Sequence, residues 1–210
     1  MPATEKQFRI GEMSDLLSRA TGESASYIAA ALRRWQQSDL IVADGTDGKG
    51  VTKANLFTEE QVYRARLLLA LLKFDFSIPR LKEFMERLDT PRTAVPSKRS
   101  HGVPAAFHNV LGYCLKAFES GSVQNLNWIL QITAIRSEGD IPGSNKGEIV
   151  YSGKFHKGLD DQQRETWEPR TAKIDGEEIT AWNASIEALI IIHLPSIWLP
   201  LYRVLQSEAD

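Results

Sequence analysis

The chain has a single cysteine, Cys114, among its 210 residues. One thiol excludes an intramolecular disulfide and any metal site built from several cysteines, and it fits a reducing cytoplasm. Cys114 falls on an apolar helical stripe, so it reads as a buried, inert thiol. Long hydrophobic runs are also missing. The most apolar window, ALIIIHLPSIWLPLY at 188–202, holds His193 and two prolines within 15 residues. A membrane span needs about 20 mostly apolar residues, so this window reads as core and no membrane partner is expected. The opening MPATEKQFRIGEM carries no apolar stretch of signal-peptide length.

Neither sign of charge is in large excess. The net charge is −2, with 13 basic and 12 acidic side chains in residues 1–88 against 9 and 14 in residues 103–210. The basic side lies N-terminally, which permits a polyanionic partner without demanding one. Catalytic signatures are absent too. His101, His108, His156 and His193 show no metal-ligand spacing with cysteine or carboxylate. No phosphate-binding loop, dinucleotide fingerprint or nucleophile elbow occurs. The paired Glu177-Glu178 follows Asp-Gly and reads as a solvated turn. The expectation is a protein that is not an enzyme and has no metal and no cofactor.

What is present is a soluble globular composition, 42% apolar and 25% charged. Two regions are separated by DTPRTAVPSKRSHGVP at 89–104, whose three prolines and small polar residues make a linker. Lys98, Arg99 and His101 within it are a solvated basic stretch. In residues 11–20, Met13, Leu16, Leu17 and Ala20 share one helix face. Gly22 is placed to end that helix. Ser24 can cap the next, where Ile28, Leu32 and Trp35 share a face, so Trp35 belongs to the core. Two short helices joined by so tight a turn make a helix-turn-helix. The Asp-Gly pairs in ADGTDGKGVTKANLF favour turns, with Val51 and Leu56-Phe57 as short strands around them. Thr58 to Gln61 reads as a capping box for a third helix lined by Val62, Ala65, Leu69 and Leu72. A fourth starts at Ser77 with Pro79 in its first turn and Leu81, Phe84, Met85 and Leu88 as its stripe.

The second region opens with a helix carrying Phe107, Val110, Leu111, Cys114, Leu115 and Phe118. LNWILQITAIRS, GEIVYSGKF and ITAWNASIEALIIIHL are rich in β-branched and aromatic residues and read as strands. The near-continuous apolar run at 188–192 suits a strand buried on both faces. PSIWLPLYRVLQ has a helical pattern that Pro200 argues against. The fold class expected is α+β.

The first region resembles the DNA-binding domain of MerR-type transcriptional regulators. The resemblance rests on Ile10-Gly11-Glu12-Met13, on Leu32-Arg33-Arg34-Trp35 leading to Asp39-Leu40-Ile41, on Ala54-Asn55-Leu56-Phe57 followed by Thr58-Glu59-Glu60-Gln61-Val62, and on Asp75-Phe76-Ser77-Ile78. It covers about 80 residues, 8–88, and lies in the succession of pieces rather than in any one of them. It implies an N-terminal winged helix-turn-helix over 1–88, a linker over 89–104 and an α+β dimerisation or effector domain over 105–210. Arg33 matches the family arginine, Arg34 replaces an aromatic, and Asn55 stands where the family often has a wing arginine. The fourth helix stops at Leu88, where the family continues into a long dimerisation helix.

On that resemblance, Ser24, Ser26 and Tyr27 lie in the first turn of a recognition helix and reach bases or phosphates. Arg33 and Arg34 lie near its end. An isolated Arg-Arg pair is a solvated surface charge, but inside this helix pair Arg33 reads as a phosphate contact. Lys49 and Lys53 flank Gly50 in the wing, where glycine lets the backbone approach and lysine neutralises phosphate. A polar hairpin with solvated lysines is the bland alternative. The function expected is a bacterial or phage DNA-binding transcriptional regulator, with double-stranded DNA, a second copy of the chain and a small-molecule or protein effector as partners. The alternatives are a recombination directionality factor or other architectural DNA-bending protein, and a protein-interaction module on a winged-helix scaffold.

Overall fold

A computed structural model of the chain describes residues 6–48, 53–89, 106–123, 126, 128–136, 146, 149–157, 170–174, 177–181 and 186–208. Of the expected linker only Asp89 is described, and it is the last residue of the fourth helix, where Arg64 bonds it, and not linker; residues 90–104, Lys49 and Val51 lie outside these residues. The fold is α+β. In chain order the described elements are β1 (Gln7–Phe8), α1 (Ile10–Thr21), α2 (Ala25–Gln37), β2 (Gly45–Asp47), β3 (Ala54–Thr58), α3 (Glu59–Leu72) and α4 (Ile78–Asp89). Then come α5 (Phe107–Glu119), β4 (Trp128–Arg136), β5 (Ile149–Lys157), β6 (Arg170–Ile174), β7 (Glu177–Ala181), β8 (Ile186–His193) and a last helix, α6 (Leu194–Gln206).

The helical periodicities hold. Met13, Leu16 and Leu17 are buried on α1, and the chain leaves that helix at Gly22 with φ +76°, its N–H donating to the Ser18 carbonyl at 2.7 Å. A β-carbon is strained in that left-handed conformation, so glycine fits the position. The turn is stitched further. Ser18 Oγ donates to the Glu23 carbonyl at 2.7 Å, and Thr21 Oγ1 accepts the Glu23 N–H at 3.1 Å. Leu81, Phe84, Met85 and Leu88 are buried on α4, and Pro79 sits in its first turn. On α5, Phe107, Val110, Leu111, Cys114 and Phe118 are buried. Burial pushes the Cys114 thiol up to about 12.

Three local expectations are corrected. Ser24 stands at the N-cap of α2, but its hydroxyl pairs with the Ser26 hydroxyl at 2.8 Å instead of a backbone N–H. The capping box at Thr58 does not close: the Thr58 N–H donates to Asp44 Oδ2 at 3.1 Å, and Gln61 Oε1 accepts the Val42 N–H at 3.1 Å. A carboxylate brought in from the preceding loop is the stronger acceptor, which leaves Gln61 to tie that loop to α3. Glu177 and Glu178 are not in a turn. They begin β7, opposite Ile174 and Lys173 of β6.

β1, β3 and β2 form one antiparallel sheet in that spatial order, with Phe8 opposite Phe57 and Thr46 opposite Asn55. β5, β4 and β8 form a second, and among the described residues β6 pairs only with β7. Among the described strands β8 is therefore an edge strand. Its apolar run is not covered on both faces: Ile192 is buried, Ile190 half-buried and Ile191 is 42% exposed.

α6 forms despite Pro200, and it changes how the core is built. Pro200 removes the N–H that would bond the carbonyl of Ser196, an exposed residue in the first turn. Burial of Leu194, Trp198, Leu201 and Leu205 offsets that loss. These side chains pack inside the chain, so the helical part of the 188–202 window is core, as its composition predicts. Trp198 meets Tyr63 of α3 edge-on at 6.3 Å and Phe107 of α5 edge-on at 5.8 Å. α3 contacts α1 and β3 as well as α5 and α6. That explains why Val62, Tyr63, Ala65 and every residue from Leu67 to Leu71 are buried, far more than one amphipathic stripe. Buried side chains from both regions join in one cluster. At the surface, Glu208 receives Arg19 of α1 and lies 3.9 Å from Lys6 Nζ. No helix among the described residues is long and apolar enough to cross a membrane.

Candidate functional site

The side of α2 turned away from the core is a continuous, largely polar surface. Ile28, Leu32 and Trp35 anchor the helix. The opposite side exposes Ser26, Tyr27, Ala30, Arg33, Arg34 and Gln37. These positions fall within about 120° of one another at 100° per residue, so they make one continuous face. No Asp or Glu occurs anywhere in ASYIAAALRRWQQ. Arg33 and Arg34 make no ion pair with a described residue, and both are exposed. Ala30 sits mid-face with only a methyl group, which lets another surface come close to the backbone. Tyr27 is 53% exposed, and Ser24 and Ser26 are exposed beside it.

The end of α2 is held by a network of polar contacts. The Trp35 carbonyl accepts the Leu40 N–H at 2.9 Å across a turn in which Asp39 has φ +58°. Asp39 is offset by Lys82 of α4 at 3.3 Å. Arg64 of α3 then fastens the loop. Its Nε donates to the Leu40 carbonyl at 2.8 Å, its two terminal nitrogens donate to Asp89 at 2.7 Å each, and its guanidinium lies 5.7 Å from the Phe107 ring. A planar fork that meets a carboxylate with two bonds fixes direction as well as distance. Nothing in the spacing of the sequence signals this clasp, because its partners are 24 and 25 residues away.

The hairpin of β2 and β3 carries the remaining described candidates. Lys53 and Asn55 are exposed, Asn55 opposite Thr46. The hairpin is tied back by Arg9, whose guanidinium bonds Asp47, and that bond together with the charge of Arg9 holds the Asp47 carboxyl below its ordinary value. Arg9 precedes α1 and its N–H donates to Glu12 Oε2 at 2.7 Å. The structure therefore brings Ser26, Tyr27, Arg33 and Arg34 onto one helix with Ser24 at its N-cap, and Lys53 and Asn55 onto a hairpin joined to the start of α1. Neither protein-family models nor curated protein sequences match this chain.

Elsewhere the chemistry is sparse. Among the described residues no cluster of His, Cys, Asp and Glu is arranged to hold a metal ion. The Tyr63 hydroxyl, the Trp198 indole nitrogen and Arg66 Nε are buried without a hydrogen-bond partner among the described residues. Burial raises the Tyr63 pKa and lowers that of Arg66, the latter opposed by the nearby Glu23 carboxylate.

Proposed function

We propose that this chain is a sequence-specific DNA-binding transcriptional regulator whose N-terminal region is a MerR-like winged helix-turn-helix. In this reading α2 is the recognition helix, the β2–β3 hairpin is the wing, and the C-terminal region dimerises or senses a ligand. One observation carries it: the exposed face of α2 presents Arg33, Arg34, Gln37, Ser26 and Tyr27 around Ala30, with no carboxylate. From Ser26 to Gln37 that face runs about 16 Å at 1.5 Å per residue. That length matches about five base-pair steps of duplex at 3.4 Å each. A helix fits the major groove, where each base pair shows a distinct donor and acceptor pattern. Arg33 and Arg34 supply phosphate neutralisation or a bidentate base contact. Ser26, Tyr27 and Gln37 supply hydrogen bonds. The Arg64 clasp supports the reading because a helix that reads base edges must be held at a fixed angle.

The test is equilibrium binding to duplex DNA as a function of salt. Wild type should bind with an affinity that falls steeply as salt rises. Arg33→Ala should weaken binding across sequences and reduce the magnitude of the slope of log K against log salt by about 0.9, one phosphate's share. Absence of salt-dependent binding would remove the proposal and favour the protein-interaction module, which the near-balanced charge of residues 1–88 supports.

A further inference from the structure

The sheet of β5, β4 and β8 has two edges, and they differ in kind. The β5 edge carries Lys154 and Lys157 with Gly153 between them and the strand start. That strand is also docked, since Arg80 of α4 donates to the Ile149 carbonyl at 3.0 Å. Lysines and docking are how folded proteins blunt a strand edge against pairing with another chain. The β8 edge has neither. IEALIIIH contains one charge, Glu187, near its start, and no lysine, proline or glycine. Its register with β4 is regular from Ala188 to His193, with the one irregularity confined to the Ala134–Ile135 end. Among the described residues no strand pairs with its other side. Ile191, in the middle of the regular segment, is 42% exposed.

We infer that β8 is the dimerisation element of this protein, pairing antiparallel with β8 of a second copy about a two-fold axis to give one continuous six-stranded sheet. The partner is a second copy because the segment is self-complementary. An uncharged strand placed opposite itself satisfies its own open N–H and C=O groups and meets no like charge over 188–193. The blunted β5 edge explains why assembly stops at two. Head-to-tail pairing of β8 on β5 would propagate into a filament, and the lysines and the α4 contact oppose it. A two-fold axis perpendicular to the sheet keeps both Ile191 side chains on one face of the doubled sheet, where they remove apolar surface from water together. The inference does not depend on DNA binding.

The experiment is sedimentation velocity of the full chain without DNA, from low to high micromolar concentration, on wild type and Ile191→Lys. Wild type should sediment as a dimer. Ile191→Lys should shift to the monomer value with an unchanged far-ultraviolet circular dichroism spectrum, since the ammonium groups meet on one face and mark the edge as β5 is marked. Hydrogen exchange on wild type guards against a variant that fails to fold: amides of 188–193 should slow as concentration rises, and those of β5 should not. A wild type that stays monomeric throughout would overturn the inference. So would a dimer in which β8 exchange is independent of concentration.

Discussion

Replacing Trp198 with alanine tests the claim that residues from both ends of the chain share one core. Trp198 is fully buried and meets Tyr63 and Phe107 edge-on. A buried tryptophan removes roughly 200 Å² from water, worth about 5 kcal/mol at 25 cal/mol per Å². Two terms reduce that figure: the indole N–H is buried without a described partner, and neighbours relax into part of the space. The expected cost is therefore about 3–5 kcal/mol, as for other buried aromatic-to-alanine changes. For a chain of this size each kcal/mol lowers the melting temperature by about 2–4 °C, so the drop should be roughly 6–20 °C. Scanning calorimetry should show a single transition in wild type and a single, lower one in the variant. Two transitions, of which only one moves, would refute the shared core. A shift under about 2 °C would refute the packing argument itself.

Other outcomes follow from the same core. Tyr63→Phe should be neutral or stabilising by up to about 1 kcal/mol in chemical denaturation, because it deletes a buried hydroxyl that has no described partner and keeps the ring. A loss above that would show that the hydroxyl makes a bond. Cys114 should resist a thiol reagent at neutral pH in the native protein and react promptly in denaturant, since burial both shields the thiol and pushes it up to about 12. Rapid native labelling would show that α5 opens.

What was legible in the sequence was local. The α1 stripe, the Gly22 stop, the α4 and α5 stripes and the core role of Trp35 all follow from spacings of three or four residues and from one left-handed turn. What was hidden depends on partners far along the chain. The capping box at Thr58 had the right residues, yet Asp44 reached the Thr58 N–H instead. Pro200 argued against a helix, but intrinsic preference is a weak prior once Trp198, Leu201 and Leu205 have a core to enter. The run at 188–192 looked buried on both faces because apolar residues alone do not say whether a strand is central or at an edge. A clue to the C-terminal region's position was present: LLLALL at 67–72 is too apolar for a helix covered on one side only. Of the candidate site, the helix and its two arginines were legible. The Arg64 clasp and the Arg9–Asp47 tie that hold the site were not.

The contact between Lys6 and Glu208 has a topological consequence. Surface ion pairs contribute little to stability, but this one measures separation. With 3.9 Å between the charged atoms, the two backbones lie at most about 15 Å apart, a gap that about five extended residues bridge. A short linker between residues 6 and 208 would therefore close residues 6–208 into a ring without moving the described core. Opened between α4 and α5, such a ring would place α5 through α6 ahead of α1 through α4 in the chain while the described contacts of the shared core were kept.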